Sequence, residues 1–285
     1  MKQGRIKRGE LIVGRKLFCE LSPTCYRISL EKEIIKRKIS DLLGGEKFAE
    51  RKSTDKLPAV LASHSSVLIR HLEGVDMRLQ ENKVTNIKLA CEKINGIVVR
   101  PGEVFSFWRL LGKPTEKAGY LEGMILKKGK PAAGIGGGLC QMANMVHYLV
   151  LYCALQVTEL HHHTDALFPD DRRRVPFGTG TSVSYNNLDY RFRNNADGNI
   201  QIFVWIENGE LCGEIRGEKE YPYTFSLEEE DHHFSKEGDK YYRISKVYRV
   251  KTDKESGRVL YRENILNNHS EVMYDYALIP KEQIR

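Results

Sequence analysis

The sequence predicts an α+β protein: N-terminal helices, a central helix entered through a glycine-rich turn and packed on an antiparallel sheet, and C-terminal β-hairpins. Apolar residues recur at helical spacing in three stretches of the first 153 residues, and the period changes to two at Leu155. Turn pairs such as Asn208-Gly209 then separate runs rich in β-branched and aromatic residues. With 285 residues, 41% of them hydrophobic and 29% charged, the chain holds enough apolar mass to build a core without metal or disulfide staples.

The elements follow in order. Residues 1 to 55 read as a basic leader followed by a helix, in which Ile34, Ile35, Ile39, Leu42 and Leu43 recur until Gly44-Gly45 stops it. A second helix carries Val84, Ile87, Leu89, Ala90, Cys91 and Ile94 on one side and ends at Asn95-Gly96. Gly102 to Trp108 reads as a partly buried strand-like segment. The helix after the glycines has the clearest stripe: Leu139, Met142, Ala143, Val146, Leu149, Val150 and Cys153. From Leu155 strands dominate. Hairpins are expected at 181–185 with 188–192 around Asn186-Asn187, at 200–206 with 211–215, and at 241–250 with 259–263. Glu228 to Asp231 is a short acidic run, and His232-His233 beside it reads as a solvated loop.

The net charge of +7 is concentrated at the start, where residues 1–16 hold six basic side chains against one acid, a net +5. A leader of this kind suits weak contact with a membrane surface. No interleaving of basic and aromatic residues elsewhere points to nucleic acid. An apolar run of signal-peptide length is absent from the N-terminus, and the run at 149–155 is too short to span a bilayer, so a cytoplasmic location is expected. The six cysteines show no CxxC spacing, which argues for reduced thiols and against a zinc finger or disulfide framework.

The least ordinary stretch is Gly134-Ile135-Gly136-Gly137-Gly138-Leu139-Cys140-Gln141. Glycines in this density serve positive φ or close backbone approach. Cys140 falls at the start of a helix, where the positive end of the dipole and unpaired N–H groups favour a thiolate and could hold an oxyanion. A histidine base is needed. His147 lies seven residues on, about 10 Å along the helix axis at 1.5 Å per residue, too far for proton transfer. His161-His162-His163 follows the strand from Leu155, so His161 and His163 share one face and both are candidates. Competing readings are a buried structural thiol, a phosphate cradle (no GK[ST] follows, so not a P-loop) and zinc held by Cys140, His161 and His163.

These residues resemble the VanW family. The matching stretches are Pro101-Gly102-Glu103-Val104-Phe105-Ser106-Phe107-Trp108, Gly136-Gly137-Gly138-Leu139-Cys140-Gln141, and Val175-Pro176-Phe177-Gly178 running on to Val183-Ser184-Tyr185, with Glu81 to Ala90 and Asn194-Asn195 also similar. The resemblance divides the chain into a leader and helical region at 1–74, a VanW-like core at 75–217 and a hairpin extension at 218–285, and it is to the free-standing type without a signal peptide. It implies L,D-transpeptidase-like acyl transfer on a peptidoglycan stem peptide or precursor, with no cofactor. Cys140 would be the nucleophile and His163 the base, aligning better with the family's histidine than His161. Gly136, Gly137, Gly138, Gln141, Ser106, Trp108 and His161 would shape the substrate pocket. Where the family commonly shows GxDATV, this chain has Gly178-Thr179-Gly180-Thr181-Ser182-Val183, so Gly180 replaces an aspartate whose part Asp189 or Asp165 would have to take. The alternative is an accessory protein of glycopeptide resistance that keeps the pocket without turnover.

Overall fold

The computed structural model describes residues 17–69, 76–127, 130–162, 165–166, 169, 175–176, 178–185 and 187–285. The chain forms two compact units that meet at Gly45/Glu46, earlier than the boundary near residue 74 that the sequence suggests. The first holds α1 (Phe18–Leu21) and α2 (Pro23–Leu43). The Ser22 side chain caps α2 by accepting from the Cys25 amide, Pro23 fills its first turn, and Gly45 follows it at φ 65°.

The second unit runs through β1 (Ala59–Val67), α3 (Met77–Ile94), β2 (Ile97–Val99), β3 (Val104–Ser106), α4 (Phe107–Leu111), β4 (Glu122–Lys127), β5 (Lys130–Ile135) and α5 (Leu139–Leu151). It continues through β6 (Leu155–Glu159), β7 (Asp165–Ala166), β8 (Arg191–Asn194), β9 (Ile200–Glu207), β10 (Glu210–Gly217), β11 (Tyr223–Glu237), β12 (Lys240–Asp253) and β13 (Val259–Val272). The α+β class and the antiparallel sheets are as the sequence predicts. The central sheet has the order β1-β10-β9-β2, a second has β3-β8-β6, and a third has β11-β12-β13-β7, whose β13–β7 pair alone is parallel.

The core lies between the helices α3 and α5 and the central sheet. Ile87, Ala90 and Ile94 of α3 meet Met142, Ala143, Val146 and Leu149 of α5 over Ile202, Val204, Leu211 and Ile215 of the sheet. Gly213 of β10 lets α5 approach, since a Cβ there would stand 3.0 Å from Leu149 and 3.1 Å from Met145. The far end of α5 is tied to the third sheet by Arg249 of β12. Its Nε donates to the Leu151 carbonyl at 2.8 Å and its Nη2 to that of Cys153, satisfying acceptors that the helix end and its exit turn present.

Three local expectations change. Phe107 and Trp108 begin α4 instead of extending a strand, because Ser106 Oγ accepts from the Arg109 amide and caps a helix there. The 181–185 and 188–192 hairpin reduces to a single Ser184–Leu188 bridge, with β8 starting only at Arg191, because residues 178–183 run along α5 instead. His232-His233 lies within β11, not in a loop, next to a bulge at which Asp231 takes φ 52°. The acidic run forms the exposed side of that strand, where Glu228 and Glu230 both pair with Arg262 of β13. The Asn208-Gly209 turn, at φ 49° and 76°, closes β9 and β10 as expected.

Candidate functional site

The turn that launches α5 is assembled by its neighbours. Gly136 at φ 77° and Gly138 at φ 95° need left-handed backbone. Gly137 crosses Gly123 of β4 so closely that a Cβ on it would lie 2.1 Å from the Gly123 carbonyl carbon. A Cβ on Gly136 would meet Pro114 at 2.7 Å and one on Gly138 the stem of Lys83 at 2.1 Å. Buried Asn86 of α3 fixes this packing: its Nδ2 donates to the carbonyls of Gly137 and Leu121 at 2.9 and 3.0 Å, and its Oδ1 accepts from the Leu121 amide. The amides of Gly136, Gly137, Leu139 and Gln141 donate to the carbonyls of Leu121, Gly134, Gly136 and Gly138. All three glycines thus have a packing explanation, and none of them requires a ligand.

Cys140 lies in the first turn of α5, half-buried. Its Sγ rests 3.7 Å from the carbonyl oxygen of Val183. Burial pushes the thiol above its ordinary pKa, against the smaller opposite effect of backbone hydrogen bonds at Val183 and at its own amide. The sequence led us to expect a thiolate favoured by the helix N-terminus; in this environment desolvation outweighs that dipole.

Asn144 and His147 repeat from Cys140 at i+4 and i+7, making one polar stripe on a mostly apolar helix. Residues 178–183 cover this stripe in reverse order. Thr179 hydrogen-bonds His147 through its backbone, Thr181 N–H donates to Asn144 Oδ1 at 2.6 Å, and Val183 lies at Cys140. A Cβ on Gly180 would stand 3.0 Å from Asn144 Oδ1, so the position at which the family aspartate is missing faces the middle of the stripe. His147 is buried, contacts Tyr190 Oη through Nδ1 at 3.1 Å, and has its pKa pulled down to about 3, chiefly by burial.

The histidine run lies on the other side of the covering segment. The His161 carbonyl accepts from the Ser182 amide at 2.7 Å, one residue from the Cys140 contact. His161 Nε2 is 3.0 Å from Glu159 Oε1, while His162 turns to the Gly178 carbonyl and lies close enough to His147 to disfavour its charge. His163, the expected base, lies outside the described residues.

Glu159 begins a buried carboxylate network. It accepts from the Asp189 amide at 2.9 Å and lies 3.5 Å from Arg191 Nε. Asp189 is almost fully buried and accepts four times, from Ser106 Oγ at 2.6 Å, Arg191 Nε at 2.8 Å, and the amides of Trp108 and Tyr190 at 3.0 and 2.9 Å. Asp189 accordingly anchors the start of α4, and the carboxylate bonded to His161 is that of Glu159. Ser106 and Trp108 are structural here. Ser106 bonds Asp189, and Trp108 Nε1 holds the Leu188 carbonyl at 2.9 Å with its ring edge-on to Tyr185. Gln141 is likewise engaged away from any pocket, donating to Ser66 Oγ at 3.0 Å and the Val67 carbonyl at 2.9 Å on β1.

A cleft of about 700 Å³ opens at the His147 end of the stripe, lined by His147, Glu159, His162 and Thr179 and, on the third sheet, by Arg249 and Glu263. Cys140 is not among its lining residues. Among the described residues no group of three His, Cys, Asp or Glu side chains is placed to hold a metal. Sequence reasoning missed Asn144, His147 and Glu159 as parts of one arrangement. For Asn144 and His147 the signal was available in their i+4 and i+7 spacing from Cys140 along a mostly apolar helix.

The fold and this site define an α+β domain built around a helix-start cysteine behind a glycine turn. Residues 82–216 match the family model described as VanW like protein. It is 28% identical over 227 residues to the Vancomycin B-type resistance protein VanW of Enterococcus faecalis, covering 80% of this chain and 82% of that one. It is 34% identical over 117 residues to the uncharacterized protein YoaR of Bacillus subtilis, covering 41% of this chain and 37% of that one. No solved structure matches the chain.

Proposed function

We propose that the protein catalyses cysteine-dependent acyl transfer on peptidoglycan-type peptides, reached as precursors from the cytoplasm, with Cys140 as nucleophile and His163 as base. The observation that carries the reading is the convergence on one short segment: Cys140 Sγ touches Val183, and the neighbouring Ser182 amide is bonded to the backbone of the histidine run. The chemistry requires His163 to take the thiol proton as sulfur attacks the peptide carbonyl, forming the C–S bond. Collapse of the tetrahedral intermediate breaks the C–N bond, and the imidazolium returns the proton to the departing amine. An acceptor amine or water then attacks the thioester and regenerates the thiol. The Enterococcus faecalis relative is named as a vancomycin-resistance protein, and a role connected with resistance to that antibiotic is consistent with this reading.

An accessory role in glycopeptide resistance without turnover is the second reading. It is favoured by Gly180 facing Asn144 where a carboxylate is missing, and by the upward shift of the Cys140 thiol. The test is intact-protein mass spectrometry after incubation with a synthetic stem tetrapeptide. Catalysis gives a thioester adduct on the wild type that Cys140→Ala abolishes; no adduct, with binding retained, supports the accessory reading.

A further inference from the structure

The apolar face of α2 has no part in the site described above. Plotted at 100° per residue, Ile28, Ile35, Ile39, Leu42 and Leu43 fall within one 100° arc of this 21-residue helix. Every one of the five is more than half exposed, Leu42 at 82%. A monomer in water has no use for five large aliphatic side chains held along one side of a helix. The charges around that arc say what covers it. Lys36 borders it on one side and Arg27 and Lys38 on the other, Lys32 falls within it between Ile39 and Leu43, and Glu31 is the single acid on either border. Glu33 and Asp41 lie on the opposite face. Long basic side chains flanking an aliphatic stripe can lay their stems beside it and lift their charges to a polar, anionic plane.

A second copy of the helix fits less well. In the heptad register that follows the stripe, Ile28, Ile35 and Leu42 take one core position and Ile39 the other, but Lys32 shares that second position and its charge would be buried in the seam.

We propose that α2 is an interfacial anchor: it lies on an anionic lipid surface with Ile28, Ile35, Ile39, Leu42 and Leu43 among the acyl chains and Arg27, Lys32, Lys36 and Lys38 at the headgroups. The net +5 of the sixteen residues before it adds attraction of the same sign. No described helix is long and apolar enough to cross a membrane, so the contact is with the surface alone. The inference is independent of the acyl-transfer reading and stands or falls without it.

The test is co-sedimentation of the full chain with extruded vesicles of phosphatidylcholine, with and without an equal part of phosphatidylglycerol, at 50 and 500 mM salt. The wild type should bind the anionic vesicles at low salt, at least tenfold more tightly than the neutral ones. Ile35→Ser with Ile39→Ser should weaken that binding by about tenfold or more, at unchanged circular dichroism. Lys36→Gln with Lys38→Gln should weaken it by about tenfold and flatten its salt dependence. Three results would overturn the proposal: a wild type that stays in the supernatant, a serine variant that binds as well as the wild type, or a wild-type dimer in light scattering that the serine substitutions split.

Discussion

Gly137→Ala asks whether the glycine turn is close-packed or holds space for a ligand. The new methyl would sit 2.1 Å from the carbonyl carbon of Gly123 and 2.3 Å from its oxygen, where ordinary contact begins at 3.4 Å. Backbone meets backbone, so no side chain can rotate away, and the two segments must part by more than 1 Å. Overpacking of this kind costs about 1–3 kcal/mol. Parting them also strains the 2.9 Å bond from buried Asn86 to the Gly137 carbonyl, whose loss adds about 1–3 kcal/mol. The expected destabilisation is about 3–4 kcal/mol, a fall of roughly 10 °C in Tm for a unit of this size. Gly102→Ala is the reference: its φ of 78° adds a backbone strain that Gly137 lacks, but nothing lies within 4 Å of the new methyl, so it should cost only about 1–2 kcal/mol. Urea unfolding followed by tryptophan fluorescence measures both. If Gly137→Ala costs no more than Gly102→Ala, the turn has room, and its glycines belong to a binding site after all.

Asp189→Asn turns amide hydrogens toward groups that already donate, Ser106 Oγ and Arg191 Nε or the Trp108 and Tyr190 amides, and should cost about 2–4 kcal/mol; a loss under about 1 kcal/mol would show that the network does not hold α4. His147 has a folded pKa of about 3 against an ordinary 6.5, so the unfolded chain takes up its proton first and stability falls as pH drops below 6.5. Between pH 6.5 and 4.5 the wild type should lose about 2.3 kcal/mol more than His147→Gln, and equal pH profiles would refute a buried neutral imidazole. Gln141→Ala removes two bonds to β1 and should lower stability by about 1–2 kcal/mol without moving the pH midpoint of Cys140 alkylation; a moved midpoint would return Gln141 to the site.

The parts legible in the sequence were those with a single strong local signal. The α5 stripe, the Asn208-Gly209 hairpin and the Asn95-Gly96 helix stop were read correctly because period and turn residues agreed. The start of α4 was missed because its cap is a hydroxyl that a buried carboxylate 83 residues away also binds. β11 was obscured by acids whose partner, Arg262, lies on a strand beyond β12. At the site, Cys140 as a helix-start residue was legible. The purpose of the glycines was not, since Gly123, Pro114 and Lys83 meet the turn only in the fold. The thiol's upward shift was not legible either, because burial by residues 178–183 is a tertiary fact.

The most direct test of the account is the pH dependence of iodoacetamide alkylation at Cys140, mapped by mass spectrometry in the wild type and in His163→Ala. Burial alone raises the thiol, so an activating base must show as a difference between the two proteins. The account expects the wild-type midpoint to lie at least about one unit below that of His163→Ala. Coincident profiles would contradict a Cys140–His163 pair and leave the accessory reading in its place.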